Sequence, residues 1–159
     1  MGTRSIIGAV TEAGSIGTYC HYDGYPTGNG RELQTILKRD GYDKVTETLL
    51  SEPAGFSFLD VNADEKKHAD QFGDMSSRTA LIPGYGIAYR DVDNPELIRL
   101  MDVLQNREDY FWAEFAYFVR PDGGTDAYRL NYQAPADYWV IEPDNEITSD
   151  EPPITANIN

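Results

Sequence analysis

The side chains with most chemical capacity gather in Tyr19-Cys20-His21-Tyr22-Asp23-Gly24-Tyr25-Pro26-Thr27-Gly28-Asn29-Gly30. Side chains alternate along an extended strand, so Tyr19, His21 and Asp23 share one face and Cys20 takes the other. An imidazole beside a carboxylate is a general-base arrangement. The pattern supplies no nucleophile for it, because Cys20 projects away from His21 and nothing in the spacing orients Thr27 or a tyrosine hydroxyl. The alternative reading is structural: His21 and Asp23 hydrogen-bond the loop backbone and fix its shape. No residue is assigned as catalytic, and the chain reads as a binding protein rather than an enzyme.

Gly24, Gly28 and Gly30 fall between a strand and a helix, where a phosphate can sit on helix N–H groups. Their spacing matches neither the dinucleotide fingerprint nor the phosphate loop, and Arg31 is the only nearby cation. Turn formation is the simpler use of these glycines. If the loop holds a ligand, the set is His21, Asp23, Tyr25 and Arg31, which with Tyr22 suits a nucleotide-like molecule through stacking and charge. The only histidines are His21 and His68, far short of a zinc ligand set, and no EF-hand spacing occurs. Neither a metal nor a cofactor is expected.

Several elements must position this segment. Ile6 to Val10 and Ile16 to Tyr22 are β-prone and flank the turn-like Glu12-Ala13-Gly14-Ser15, which predicts an N-terminal hairpin. Leu33, Ile36 and Leu37 recur at helical spacing and predict a helix over residues 30–40, stopped by Gly41. Asp43 is placed to cap a second helix carrying Val45, Leu49 and Leu50 and ending before Pro53. Residues 60–77 read as a surface insertion or an exposed turn of helix. The Pro and glycines of Leu81–Tyr89 mark an irregular or edge strand. Asn94-Pro95 predicts a helix start, with the helix running to about Gln105.

Tyr110–Val119 is apolar on both alternating sets, as in a central strand buried on two faces. Tyr110, Trp112, Tyr117 and Phe118 are therefore assigned to the core. Asp122-Gly123-Gly124-Thr125 is a hairpin turn, Ala127–Tyr132 the returning strand, and Tyr138–Ile141 a further one. Tyr128, Tyr132 and Tyr138, interleaved with acidic residues, fit core packing or a protein-facing surface. The expected fold is α+β: an antiparallel sheet, built from the N-terminal hairpin and the aromatic C-terminal strands, packed against two to three helices. It forms a single domain over residues 1–141, and residues 142–159 form an acidic, mobile tail without lysine or arginine.

The chain has 159 residues and a formal charge of −14, from 27 acidic against 13 basic side chains. Residues 1–40 balance, so the whole excess lies downstream. Such a surface repels nucleic-acid phosphates and attracts basic partners, while also serving solubility. The lone Cys20 excludes an internal disulfide. With no leader pattern and no long apolar run, the expectation is a cytoplasmic protein without a membrane span. Met1-Gly2-Thr3-Arg4-Ser5-Ile6 departs from a myristoylation start, since Ile6 stands where Ser or Thr is needed.

Thr3-Arg4-Ser5-Ile6-Ile7-Gly8 followed by Tyr19-Cys20-His21-Tyr22-Asp23-Gly24-Tyr25-Pro26 resembles a family of small bacteriophage and prophage proteins. These begin with a Thr-Arg-Ser-Leu-Ile-Gly-like strand and carry a Tyr-Cys-His-aromatic-Asp-Gly-Tyr-Pro loop. The resemblance is specific over about the first 40 residues and looser at Trp112–Phe118 and Tyr138–Val140. It implies a viral origin and no particular activity, so no catalytic residue carries over. It raises three expectations. The leading one is a phage-type accessory binding protein, a counter-defence or host-takeover inhibitor meeting a host or phage protein with a basic surface. The others are a binder of, or enzyme on, a nucleotide-like molecule at the His21/Asp23 loop, and a virion or assembly component.

Overall fold

The computed structural model describes residues 3–64, 79–90, 92–105, 112–130 and 136–151. The N-terminal hairpin forms as the β-prone runs require: β1 (Ser5–Thr11) and β2 (Gly14–Cys20) pair antiparallel from Ser5 opposite Cys20 to Thr11 opposite Gly14. Glycine is required within this pair. A Cβ on Gly8 would lie 2.0 Å from the Ile16 carbonyl oxygen, so Gly8 and Gly17 face each other without side chains.

After the loop, a single π-helical turn over Pro26–Gly30 leads into α1 (Arg31–Asp40), which buries Leu33, Ile36 and Leu37. α2 (Tyr42–Leu50) follows at once and buries Val45 and Leu49. Gly41, at φ 86°, ends α1 and begins α2, a backbone conformation that favours glycine. Asp43 is not the cap expected of it. It lies in the first turn of α2, where its charge opposes the positive helix end, and no side chain caps that helix.

The other strands are β3 (Phe56–Leu59), β4 (Thr79–Ile82), β5 (Gly86–Tyr89), β6 (Ile98–Arg99), β7 (Phe115–Val119), β8 (Thr125–Arg129) and β9 (Asp137–Ile141). The run Leu81–Tyr89 is thus most of a hairpin, with its Pro83-Gly84-Tyr85 turn and with β4 at the sheet edge. The path across the sheet is β4-β5-β3-β2-β1-β7-β8-β9, with β6 also on β2.

The α+β class holds, but the sheet is mixed rather than antiparallel. β1 and β7 run parallel from Ser5 opposite Phe115 to Ala9 opposite Val119, and β2 meets β3 in parallel at Cys20 opposite Phe56. A hairpin cannot join parallel neighbours, and the long excursion between β1 and β7 supplies the crossover. β7 is central, as its two apolar faces require. Tyr117 and Val119 face the α1–α2 core with Ile7 and Leu33, and Ala116 and Phe118 face the opposite layer with Ile6, Ile98 and Val103.

Two further expectations are corrected. The helix placed from Asn94-Pro95 begins only at Leu100, as α3 (Leu100–Gln105). Asn94 adopts a left-handed φ of 48°, and Ile98–Arg99 are drawn into pairing with β2 at Gly17 and Ile16. Sheet hydrogen bonding here overrides local helix propensity. Trp112 is not in the core: the strand begins at Phe115, and Trp112 stands 61 % exposed at φ 59°.

Tyr128 is buried and Tyr138 half-buried. Tyr110, Tyr132, His68 and residues 65–77 of the expected insertion lie outside the described residues. Beyond β9, residues 142–151 cross back over the start of α1. Ile147 is buried against Gly30, Gln34 donates to the Asn145 carbonyl and accepts from the Ile147 N–H, and Asp150 accepts from the Thr27 N–H and hydroxyl. No described helix is long and apolar enough to cross a membrane.

Candidate functional site

The Tyr19-to-Gly30 segment is built around Asn29, which is 1 % exposed. Its amide nitrogen reaches the Ser5 hydroxyl at 3.0 Å, the Cys20 sulfur at 3.2 Å and the Tyr22 carbonyl at 2.9 Å. The loop closes through the Gly24 N–H on the Thr3 carbonyl, the Asn29 N–H on the Asp23 carbonyl, and the buried Tyr117 hydroxyl on the Gly24 carbonyl. Asp23 takes φ 60°, a turn conformation that Asp tolerates better than most residues.

Alternation through Cys20 operates as expected. Cys20 is fully buried, and burial pushes its thiol up to about 12, so it is no nucleophile under ordinary conditions. Tyr19 and His21 share the other face, where the Tyr19 hydroxyl meets His21 Nδ1 at 2.5 Å. Alternation fails one step later. β2 stops at Cys20 and the chain turns at Asp23, so His21 and Asp23 have different partners. Asp23 accepts from the Tyr25 hydroxyl at 3.3 Å.

The four candidate ligand residues therefore divide. Asp23 and Tyr25 line a depression of about 340 Å³ together with Thr27, Asn29, Glu32 and Asp60. Arg31 turns to Glu146 at 2.7 Å. His21 joins Tyr19 and packs edge-on against the Tyr22 ring, with centroids 4.5 Å apart. Burial and the neighbouring Arg4 hold the His21 pKa below its ordinary value of 6.5. Among the described residues, no cluster of three or more His, Cys, Asp or Glu side chains is arranged to hold a metal ion.

Tyr19 leads to a larger site that the sequence did not mark. The outer edge of β2 is shared: β6 covers it at Ile16 and Gly17, and β3 reaches it only at Cys20. Where these two neighbours part, a cleft of about 690 Å³ opens. Tyr19, Pro53, Ala54 and Tyr89 line it, as does the stretch from Val92 to Arg99 with Asp102. Its walls are tied together. The Thr18 hydroxyl donates to the Glu52 carbonyl at 2.6 Å, the Glu52 carboxylate pairs with Arg90, and the Tyr89 N–H donates to the Gly55 carbonyl at 2.9 Å.

Among the described residues, the lining joins apolar surface from Val92, Leu97 and Ile98 to the carboxylates of Asp93, Glu96 and Asp102, against the one cation Arg99. Val92 is 47 % and Leu97 37 % exposed, and Met101, beside Asp102, is 64 % exposed. This balance disfavours an anionic ligand such as a nucleotide. Reading Asn94–Gln105 as one helix hid the site. The usable signal was Leu97 and Met101, apolar residues among acidic ones that the sheet leaves outside.

No protein-family model matches the chain, and comparison with curated proteins and with solved structures gives no significant match. The class that fold and site define is a mixed-sheet α+β domain with an acid-rimmed, partly apolar cleft.

Proposed function

We propose that this is an accessory binding protein that takes a basic, partly apolar segment of a partner protein into the cleft between β3 and β6. One observation carries the reading: the exposed apolar side chains of Val92 and Leu97 line the cleft together with Asp93, Glu96 and Asp102, and the exposed Met101 adjoins Asp102 in the chain. Interfaces favour exposed Met, and clustered carboxylates select basic partners. The charge of −14 extends that attraction to longer range. Together with the resemblance of the first 40 residues to phage and prophage proteins, this favours an inhibitor that occupies a basic surface of a host factor, as in counter-defence or host takeover.

The test is capture from host lysate by the immobilised chain at about 50 mM and about 500 mM salt, which differ severalfold in screening. Wild type is compared with Leu97→Ser, Met101→Ser and, as an exposed apolar site on β9, Val140→Ser. The reading expects a salt-sensitive partner lost in the first two variants and kept in the third. A partner retained equally by all of them refutes it.

A further inference from the structure

We propose that His21 sets the hydrogen-bonding polarity of Tyr19 in the cleft wall, and so makes the cleft's hold on a cationic segment depend on pH. The inference rests on the cleft being the partner site. It starts from the contact of the Tyr19 hydroxyl with His21 Nδ1 at 2.5 Å and from the place of Tyr19 in the cleft lining. A phenol has one proton. While the imidazole is neutral and accepts that proton's hydrogen bond, the Tyr19 oxygen offers only lone pairs to any other group that reaches it. Ammonium and guanidinium groups are donors only, and this polarity suits them.

Protonation reverses the arrangement. An N–H on Nδ1 donates to the Tyr19 oxygen, which directs its own proton elsewhere, and a unit positive charge now stands behind the tyrosine. Both changes oppose a cation in the cleft. Several groups face the pair. Arg4 sets its charge against both rings, Tyr22 lies edge-on to His21, and Cys20 and Tyr89 adjoin Tyr19. Asp93, Glu96, Asp102 and Arg99 also line the cleft. Burial and Arg4 favour neutral His21 at pH 7, whose tautomer with the proton on Nε2 accepts from Tyr19, and the imidazolium, which can only donate, appears as the solution is acidified. Burial, which pushes Tyr19 up to about 12, keeps the phenol protonated throughout that range.

The experiment measures binding of a fluorescein-labelled peptide of alternating lysine and leucine to the full chain by anisotropy at pH 8 and pH 5. The probe is compared on wild type, His21→Gln, Tyr19→Phe and Leu97→Ser. The affinity ratio between pH 8 and pH 5 should exceed that of His21→Gln by up to about threefold, the effect of one full charge roughly 7 Å away in a largely aqueous dielectric. Tyr19→Phe keeps the ring and the His21 charge but removes the hydroxyl, so its ratio should fall between those of wild type and His21→Gln; a ratio equal to that of wild type overturns the role given to Tyr19. The cleft carboxylates are the same in all variants, so their contribution cancels in the comparison. Equal ratios in wild type, His21→Gln and Tyr19→Phe, with binding still weakened by Leu97→Ser, overturn the His21 inference alone. Absence of binding at either pH, or binding indifferent to Leu97→Ser, overturns the cleft reading and this inference with it.

Discussion

Replacing Asn29 by aspartate changes almost no volume and tests whether the Tyr19-to-Gly30 loop is held by donated hydrogen bonds. The Asn29 amide nitrogen serves the Ser5 hydroxyl, the Cys20 sulfur and the Tyr22 carbonyl from a site only 1 % exposed. An ionised carboxylate there has no protons to donate and confronts the Tyr22 carbonyl with like partial charge. Such a group raises its own pKa in the folded state, where a buried carboxyl prefers the neutral, donating form.

If the folded pKa reaches about 7 against about 3.9 unfolded, linkage gives a loss of about 4 kcal/mol at pH 7 and above. The sign follows from the raised value: the penalty is full above the folded pKa and fades as pH falls toward the unfolded one. Urea denaturation of Asn29→Asp and wild type between pH 4 and pH 8 measures the difference directly. Stability of Asn29→Asp within about 0.5 kcal/mol of wild type at pH 8, or a difference independent of pH, would refute the reasoning, since surface substitutions already span that range.

Three more outcomes follow from the packing. Asp40 holds Arg39 through two hydrogen bonds and accepts from the Tyr85 hydroxyl, and its carboxyl pKa is drawn down to about 2 chiefly by Arg39. Asp40→Asn should therefore cost about 1–2 kcal/mol at pH 7, after discounting for the partly exposed Arg39, and the difference from wild type should vanish as pH falls through about 2 in paired denaturation curves. Cys20 should resist Ellman's reagent in the native protein and react only at the unfolding rate, because its thiol is fully buried and pushed up to about 12. Ile147→Ala should lower stability by about 2–4 kcal/mol in a thermal melt, since the side chain is 5 % exposed, lies against Gly30 and belongs to the core cluster that includes Tyr117.

Local periodicity made the hairpin, α1 and the strands around Asp122–Thr125 legible in the sequence. Each rests on contacts within a few residues, such as Leu33 with Ile36 and Leu37, or Val119 opposite Thr125. What escaped depends on distant pairing. Nothing near Ile7 announces Tyr117 as its parallel neighbour, and nothing near Ile98 announces Gly17. Asn94-Pro95 is a sound helix start by local rules, yet β2 claims Ile98 and Arg99 first. The candidate site was half legible for the same reason. The alternation of Tyr19, Cys20 and His21 predicted their two faces, while the left-handed turn at Asp23 ended the strand logic one residue too early for a His21–Asp23 pair. The cleft belongs to a split in the sheet, which has no signature in any single stretch of chain.

Hydrogen exchange on the chain with and without its captured partner tests the binding reading most directly. The account predicts slowed exchange over residues 92–102 and at Tyr19, with β9 unchanged. Protection confined to the Asp23–Tyr25 depression, or to β9, would contradict it.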